Sequence, residues 1–237
     1  MCIYRLPRKQ SLVHPGSHCP RCGSPVRPYD NIPILSYVLL KGRCRRCRKR
    51  ISPRYPLVEA IAGAVAVLLA VRHGWGVEAV IFFLLSCSLI VVSFIDLDHQ
   101  IIPNRITYPG IPMGVGASFF LPNVSLHDSL VGLALGGGIL WAVAVLFYWI
   151  RKKEGMGFGD VKLLAMIGAF LGWKAVIFTL VTSSFVGAVV GYLALRLLGK
   201  DSSQPIPFGP FLALGALLYM SGGDGWMEWY LGLGRLQ

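Results

Sequence analysis

Two C-x-x-C pairs near the start of the chain supply the first groups in this sequence that could carry chemistry. Cys19-x-x-Cys22 and Cys44-x-x-Cys47 are separated by 21 residues, slightly more than the ~15–20 residues usual for a four-cysteine zinc knuckle. Four thiolates form the tetrahedral set of soft ligands that zinc prefers, and in a short segment the metal also stabilises the fold. The predicted ligands of this structural zinc are Cys19, Cys22, Cys44 and Cys47. Reduced thiols without metal are the alternative.

Two aspartates beside apolar segments are the second set of candidates. Asp96 closes an apolar run, and Asp160 ends the glycine-rich segment that begins at Gly155. Taken singly, each has a structural explanation, because an aspartate can cap a helix or lie in a solvated loop. Held close together in a cleft of low dielectric constant, two carboxyl groups cannot both ionise easily, so one acts as acid and the other as base. Such a pair can activate water for attack on a peptide carbonyl. Asp98 is the second choice to Asp96, because it points to a different side of a helical turn.

The composition places the elements that position these groups in a lipid bilayer. Of the 237 residues, 54% are hydrophobic and only 14% are charged, and the mean hydropathy is +0.61. A soluble globular domain does not have this balance. The sequence therefore predicts an all-α fold, a polytopic membrane helical bundle with a small cytoplasmic zinc-binding segment at its N-terminus. We assign residues 1–55 to that segment and residues 56–237 to the transmembrane domain.

Apolar blocks separated by short breaks rich in Pro, Gly and charge predict about seven transmembrane helices. The blocks are Leu57 to Val71, Val77 to Ile95, Thr107 to Leu121, Ser129 to Ile150, Val161 to Trp173, Lys174 to Leu198 and Ile206 to Met220. Several are shorter than the ~20 residues that a perpendicular span needs. Glycines inside the blocks, among them Gly132, Gly136 and Gly138, are expected to let helices approach closely.

The basic charge is confined to the N-terminal segment. Residues 1–55 hold thirteen Lys or Arg and a single acid, Asp30, whereas residues 56–237 hold ten charges of each sign. The positive-inside rule then predicts that this segment faces the cytoplasm and anionic lipid headgroups. Alternation through the helices puts Asp96 and Asp160 on the same side. Nucleic acid is not the predicted partner, since the segment has neither an aromatic stacking platform nor a recognition helix.

Several short motifs, in this order, resemble the type IV prepilin leader peptidases, membrane proteases that share a Gly-x-Gly-Asp motif with other intramembrane aspartyl proteases. The motifs are Ile3 to Pro7, Cys19 to Gly23, Ile51 to Glu59, Ile95 to His99, Gly155 to Leu163 and Pro207 to Pro210. The resemblance covers nearly the whole chain and puts the family's catalytic pair on Asp96 and Asp160. It also implies a further transmembrane helix ahead of Arg5, which brings the total to eight. His99 and Lys162 are expected to be interfacial polar residues, and Glu59 to have no chemical role.

This resemblance implies an endopeptidase of the bacterial inner membrane that removes the basic leader from type IV prepilins and related pseudopilins. It implies cleavage at the cytoplasmic face, after a Gly that precedes the hydrophobic helix of the mature protein. It further implies methylation of the new N-terminus with S-adenosylmethionine. The residues themselves indicate no methyl-donor site, because the sequence contains no strand followed by Gly-x-Gly-x-x-Gly.

Two other classes of function are compatible with the residues. A non-enzymatic membrane assembly factor could dock through the zinc knuckle, and a transporter could use the aspartates as proton relays. A transporter predicts an inverted repeat and charges at the middle of the membrane. The sequence displays neither feature, which favours the peptidase.

Overall fold

The computed structural model describes residues 2–14, 16–152, 157–198 and 207–233. Within these ranges the chain is helical, with two isolated β-bridges and no strand. The predicted all-α class is therefore confirmed. The chain divides into two compact units, Met1–Leu68 and Leu69–Gln237, and the division falls inside a helix.

The first unit consists of short helices and turns. Its elements are α1 (Cys2–Arg5), a 3-10 helix (Pro28–Asp30), α2 (Leu35–Leu39) and the beginning of α3 (Arg54–His73). The side chain of Arg5 is buried, and its guanidinium donates hydrogen bonds to the carbonyl oxygens of Ser11 (2.9 Å) and Gly16 (3.2 Å). Since a buried cation needs acceptors, Arg5 holds the N-terminal loop together.

A hydrogen bond ties the segment before α2 to the second turn of α3. The backbone N–H of Ile34 donates to Oε2 of Glu59 across 2.7 Å. Ile34 has a positive φ of 60°, a conformation that is uncommon for a β-branched residue. Glu59, for which the sequence predicted no chemical role, thus has a structural one.

The second unit is a helical bundle built around α7. Its helices are α4 (Val77–His99), α5 (Asn104–Ala117), α6 (Leu126–Arg151), α7 (Phe158–Leu198), α8 (Gly209–Leu218) and α9 (Asp224–Leu233). Helix α7 packs against α5, α6 and α8, and α4 packs against α8. The first part of α7 is the most deeply buried, since Leu163, Leu164 and Ile167 are completely inaccessible. This part of α7 follows directly from Asp160.

Among the residues that the structure describes, four helices are long and apolar enough to cross a membrane. They are Arg54–His73, Val77–His99, Leu126–Arg151 and Phe158–Ala194. The predicted count of seven spans is not confirmed, because α5 and α8 have only 14 and 10 residues and a span needs ~20. Position 206, the predicted start of the last block, lies outside the described residues.

The boundaries differ from the predicted blocks in two further places. The blocks predicted as Val161 to Trp173 and Lys174 to Leu198 form one element, α7, interrupted only where Gly172 takes non-helical angles (φ 79°, ψ 178°). Because glycine adopts such angles without steric cost, the chain can bend there and resume its helix. Helix α9 was not predicted, since its sequence mixes Gly, acidic residues and Trp.

Helices α6 and α7 approach each other so closely that glycine backbones touch. A β-carbon on Gly168 would overlap the carbonyl oxygen of Gly132, and one on Gly136 would overlap that of Leu164. The close approach expected at Gly132 and Gly136 is confirmed. Gly138 has no such neighbour, since a β-carbon there would meet nothing within 4 Å. This packing fixes the first part of α7, and with it the backbone at Asp160.

Candidate active site and metal cluster

Asp96 lies in the last turn of α4 and faces the interior of the bundle. Its side chain is 5% exposed, whereas Asp98 is an exposed residue. The helix ends shortly afterwards because Gln100 adopts a left-handed conformation and donates its N–H to the carbonyl oxygen of Asp96 across 2.8 Å, a common way to end a helix. The burial of Asp96 supports the choice of Asp96 over Asp98.

Asp160 lies in the first turn of α7 and is also buried, at 9% exposure. Its backbone N–H donates to the carbonyl oxygen of Gly157 across 3.1 Å. Within the part of the chain that the structure describes, its buried Oδ1 has no hydrogen-bond partner. An unpaired buried oxygen is unfavourable, so this atom is suited to receive a hydrogen bond from a group that enters the site. The beginning of the predicted motif, Gly155 and Met156, lies outside the described residues.

The fold brings Asp96 and Asp160 together, although they are 64 positions apart in the sequence. The two carboxyl groups are close enough to interact electrostatically. They reach this arrangement from different helices of the same unit, the end of α4 and the beginning of α7. Two buried carboxyl groups that share a site can divide the roles of acid and base.

Gly209 and Ile102 lie beside this pair, and neither was predicted from the sequence as a site residue. Gly209 donates its N–H to Oδ2 of Asp96 across 3.0 Å. A β-carbon on Gly209 would lie 2.7 Å from that oxygen and 3.4 Å from Cδ1 of Ile102, and one on Gly159 would lie 2.9 Å from Cβ of Ile102. Ile102 therefore packs against the backbone beside both aspartates. The signal that could have identified Gly209 is its place between bulky residues in Pro207 to Pro210, because such a glycine often marks a close backbone approach.

Lys162 joins the beginning of α5 to the beginning of α7. Its Nζ donates a hydrogen bond to Oδ1 of Asn104. It also lies 5.0 Å from the ring centre of Tyr108 and 5.4 Å from that of Phe158, within the range of cation–π attraction. These contacts give Lys162 a structural role near the pair. His99, the other predicted interfacial residue, is exposed.

The four predicted zinc ligands converge in the first unit. The sulfur atoms of Cys19, Cys22, Cys44 and Cys47 all lie within 4.8 Å of one another. Those of Cys19 and Cys47 are 3.9 Å apart. A tetrahedral zinc with Zn–S bonds of about 2.3 Å needs S···S separations of about 3.8 Å. The cluster therefore has the donor type, number and spacing that suit zinc.

The two C-x-x-C loops have the same backbone design. In each, the residue after the second cysteine donates its N–H to the carbonyl oxygen of the first. Gly23 donates to Cys19 across 2.9 Å, and Arg48 donates to Cys44 across 3.0 Å. This turn points both sulfur atoms of a pair to the same side, which a shared metal ion requires.

The thiols of the cluster differ in acidity. Hydrogen bonds from the backbone of Arg21 and Cys22 lower the pKa of Cys19 to about 6. The backbone N–H of Lys49 acts to lower the pKa of Cys47, but desolvation and hydrogen bonding with neighbouring sulfurs such as Cys22 raise it to about 11. Because zinc binds thiolates, loading the cluster would release the protons that remain.

Two protein-family models match this chain. The Bacterial Peptidase A24 N-terminal domain matches residues 1–73, which include all four clustered cysteines. The Type IV leader peptidase family matches residues 83–192, which include both buried aspartates. No solved structure matches the chain.

Curated relatives are similar over almost the whole chain. A prepilin leader peptidase/N-methyltransferase of Pseudomonas aeruginosa is 42% identical over 221 residues, which are 93% of this chain and 76% of the relative. The protein of that name from Aeromonas salmonicida is 41% identical over 225 residues, covering 94% of this chain and 77% of its own length. The one from Burkholderia pseudomallei is 39% identical over 210 residues, covering 89% and 68%. Five of the six motifs that carry the resemblance, all but Pro207 to Pro210, lie within the ranges that the two families match, and the chain belongs to the type IV leader peptidase family.

Proposed function

We propose that this protein is an aspartic endopeptidase of the bacterial inner membrane that removes the basic leader of type IV prepilins and related pseudopilins. Its relatives are named prepilin leader peptidase/N-methyltransferase. The observation in the structure that best supports peptidase chemistry is the pair of buried, interacting carboxyl groups of Asp96 and Asp160. Isolated buried carboxyl groups are costly, and two of them in one site are typical of acid–base catalysis.

We infer that the two aspartates act on a water molecule. One carboxylate takes a proton from the water as the water oxygen bonds to the carbonyl carbon of the scissile peptide. The other aspartate, protonated, donates its proton to the carbonyl oxygen. When the C–N bond breaks, the first aspartate gives its proton to the leaving nitrogen, and the second recovers a proton from the intermediate. The products are a leader with a new carboxyl group and a mature chain with a new amino group.

The surroundings of the pair suit this chemistry. The N–H of Gly209 donates a hydrogen bond to Oδ2 of Asp96 and so restricts the orientation of that carboxyl group. Oδ1 of Asp160, buried and unpaired among the described residues, is the atom we assign to contact water or the substrate carbonyl. A reacting group held in a fixed position lowers the entropic part of the barrier.

We further propose that Cys19, Cys22, Cys44 and Cys47 hold a structural zinc. With all four positions filled by protein, such a site stabilises its fold and leaves no coordination position open for a water nucleophile. For S-adenosylmethionine, the second substrate implied by the relatives' name, the described residues contain no strand with a glycine-rich loop that would suggest a binding site. We therefore assign no residue to the methyl donor.

The charge distribution supports a cytoplasmic position for residues 1–55, with residues 56–237 forming the membrane-embedded peptidase domain. Thirteen cations in the first segment favour the side of the membrane that carries anionic lipid. This cationic surface cannot attract the basic leader of a substrate, because both carry positive charge. We propose that the substrate enters laterally from the bilayer, with its apolar helix against the bundle and its scissile bond at the cytoplasmic boundary.

Substitution of each aspartate tests the proposal. Asp96→Asn and Asp160→Asn should each reduce leader cleavage by at least about 10²-fold, because each removes a group that transfers protons. Asp98→Asn is the matched control, since Asp98 is exposed and should be dispensable. The assay is cleavage of a precursor with a Gly-Phe junction in membranes that contain equal amounts of each variant. Near-normal cleavage by either of the first two variants would overturn the assignment of the pair.

A further inference from the structure

A cationic cleft lies in the first unit, beside the second C-x-x-C loop. The cleft has a volume of about 490 Å³ and is lined by Leu39, Leu40, Lys41, Arg43, Arg45 and Arg48. Arg45 forms a bidentate ion pair with Asp30, with contacts of 2.7 to 3.1 Å. Asp30 is the only acid in residues 1–55, so this segment has no second carboxylate to neutralise the other three cations. The cleft therefore carries excess positive charge.

Two of these cations occupy backbone positions that favour glycine. Lys41 has a φ of 50° and Arg48 a φ of 57°, in the left-handed region where a β-carbon is sterically unfavourable. The first C-x-x-C loop makes the same turn and has a glycine there, Gly23, with a φ of 67°. The second loop has Arg48 in place of that glycine. Strained residues often mark functional positions, and both of these line the cleft.

Exposed apolar side chains lie beside the cleft on α2. Leu39 is 72% exposed and Val38 63%. The hydrogen bond from Ile34 to Glu59 holds the beginning of α2 at the second turn of α3, a helix able to cross a membrane. Segments that lie at a membrane surface have this pattern. Their apolar side chains enter the bilayer, and neighbouring cations contact the phosphates of the lipid headgroups.

We propose that this cleft binds the phosphate of an anionic phospholipid, with Lys41, Arg43 and Arg48 as its cationic contacts and Leu39 inserted among the acyl chains. The site rests on the proposed position of residues 1–55 at the cytoplasmic membrane surface. A lipid fits better than a nucleic acid, because the described side chains that line the cleft are aliphatic or cationic and include no aromatic ring on which a base could stack.

The test compares two double variants with the same loss of charge. Lys41→Gly with Arg48→Gly removes two cleft cations at positions where glycine relieves strain. Arg46→Gln with Lys49→Gln removes two exposed cations of the same loop that do not line the cleft. The purified, zinc-loaded full chain is titrated in a neutral detergent with phosphatidylglycerol, phosphatidylcholine of equal chain length, or inorganic phosphate. Native mass spectrometry counts the bound molecules, while melting temperature and zinc content report folding.

The cleft variant should bind phosphatidylglycerol about 25-fold more weakly, at about fivefold for each cation. Its melting temperature should be unchanged or higher. The control variant should bind within about twofold of the original chain, and phosphatidylcholine and inorganic phosphate should bind at least about tenfold more weakly than phosphatidylglycerol.

Three results would overturn the site. If both double variants bind phosphatidylglycerol equally weakly, the attraction is diffuse. If the original chain binds phosphatidylcholine or inorganic phosphate as tightly as phosphatidylglycerol, the contact is purely apolar in the first case and a site for a soluble anion in the second. Leader cleavage is measured on the same samples. If the original chain binds the lipids without selectivity but cleaves normally, only this proposal is removed. Failure of the original chain to cleave any precursor would remove the proposed function instead.

Discussion

The backbone N–H of Gly209 donates a hydrogen bond to Oδ2 of Asp96 across 3.0 Å, although the two residues are 113 positions apart in the sequence. The contact joins the beginning of α8 to the end of α4. It is possible only because Gly209 has no side chain, since a β-carbon there would lie 2.7 Å from the same oxygen. Helix α8 thus helps to orient a carboxyl group that it does not itself contain.

Gly209→Ala should reduce leader cleavage strongly while the protein still inserts into membranes. The added methyl group must displace either the carboxyl group of Asp96 or the N-terminus of α8, and a displacement of about 1 Å at a reacting group can cost about 10²-fold in rate. The measurement is the initial rate of cleavage at equal protein level. Gly138→Ala is the control, because a β-carbon at Gly138 meets nothing within 4 Å. Equal rates for the two variants would contradict the positioning role of Gly209.

The cysteine cluster should bind one zinc per chain. Cys44→Ser should lose the metal, whereas Cys87→Ser should keep it, since Cys87 lies in α4 and not in the cluster. Elemental analysis of the purified proteins decides between these outcomes. Because the zinc is expected to be structural, chelation should open residues 1–55 to trypsin at its many Lys and Arg residues before cleavage activity declines. Immediate loss of activity with an intact first unit would instead indicate a catalytic metal.

Gly168→Ala should destabilise the bundle by overpacking the contact between α6 and α7. A β-carbon on Gly168 would overlap the carbonyl oxygen of Gly132, and overpacking of this kind typically costs about 1–3 kcal/mol. For a chain of this size, the melting temperature in detergent should fall by about 2–4 °C for each kcal/mol. Gly138→Ala again serves as the control, with a melting temperature close to that of the unsubstituted protein. A stable Gly168→Ala variant would mean that the two helices can separate without cost.

The proposed topology predicts which single cysteines react with a membrane-impermeant thiol reagent. Cysteines introduced at Arg105 and at position 154 should react from the cytoplasmic side, and one at Asn123 from the outer side. Position 154 lies outside the described residues, and Arg105 and Asn123 are exposed. The parent chain without an introduced cysteine reports the background from its native thiols. Labelling of positions 105 and 154 from opposite sides would place the two aspartates on opposite faces of the membrane, where they could not act as a pair.

The sequence by itself was sufficient for the features that depend on local pattern. The spacing of Cys19, Cys22, Cys44 and Cys47 predicted a cluster, and the structure brings all four sulfur atoms together. Long apolar blocks predicted helices, because their composition alone decides whether they can lie in a bilayer. The aspartates could be singled out because each stands beside an apolar run, Asp96 after one and Asp160 before one, and a charged residue at such a position has to be explained.

Only the tertiary structure decided the contacts between distant segments. Nothing local in the sequence indicates that Gly209 donates to Asp96, that Ile102 packs against both Gly159 and Gly209, or that Glu59 accepts a hydrogen bond from Ile34. These contacts depend on how helices pack, and a single residue type is compatible with many packings. The backbone angles of Gly172 and the left-handed backbone at Arg48 were likewise not predicted. Hydropathy and spacing report burial and ligand pattern, but they report neither backbone angles nor contacts between distant segments, which depend on how the helices pack.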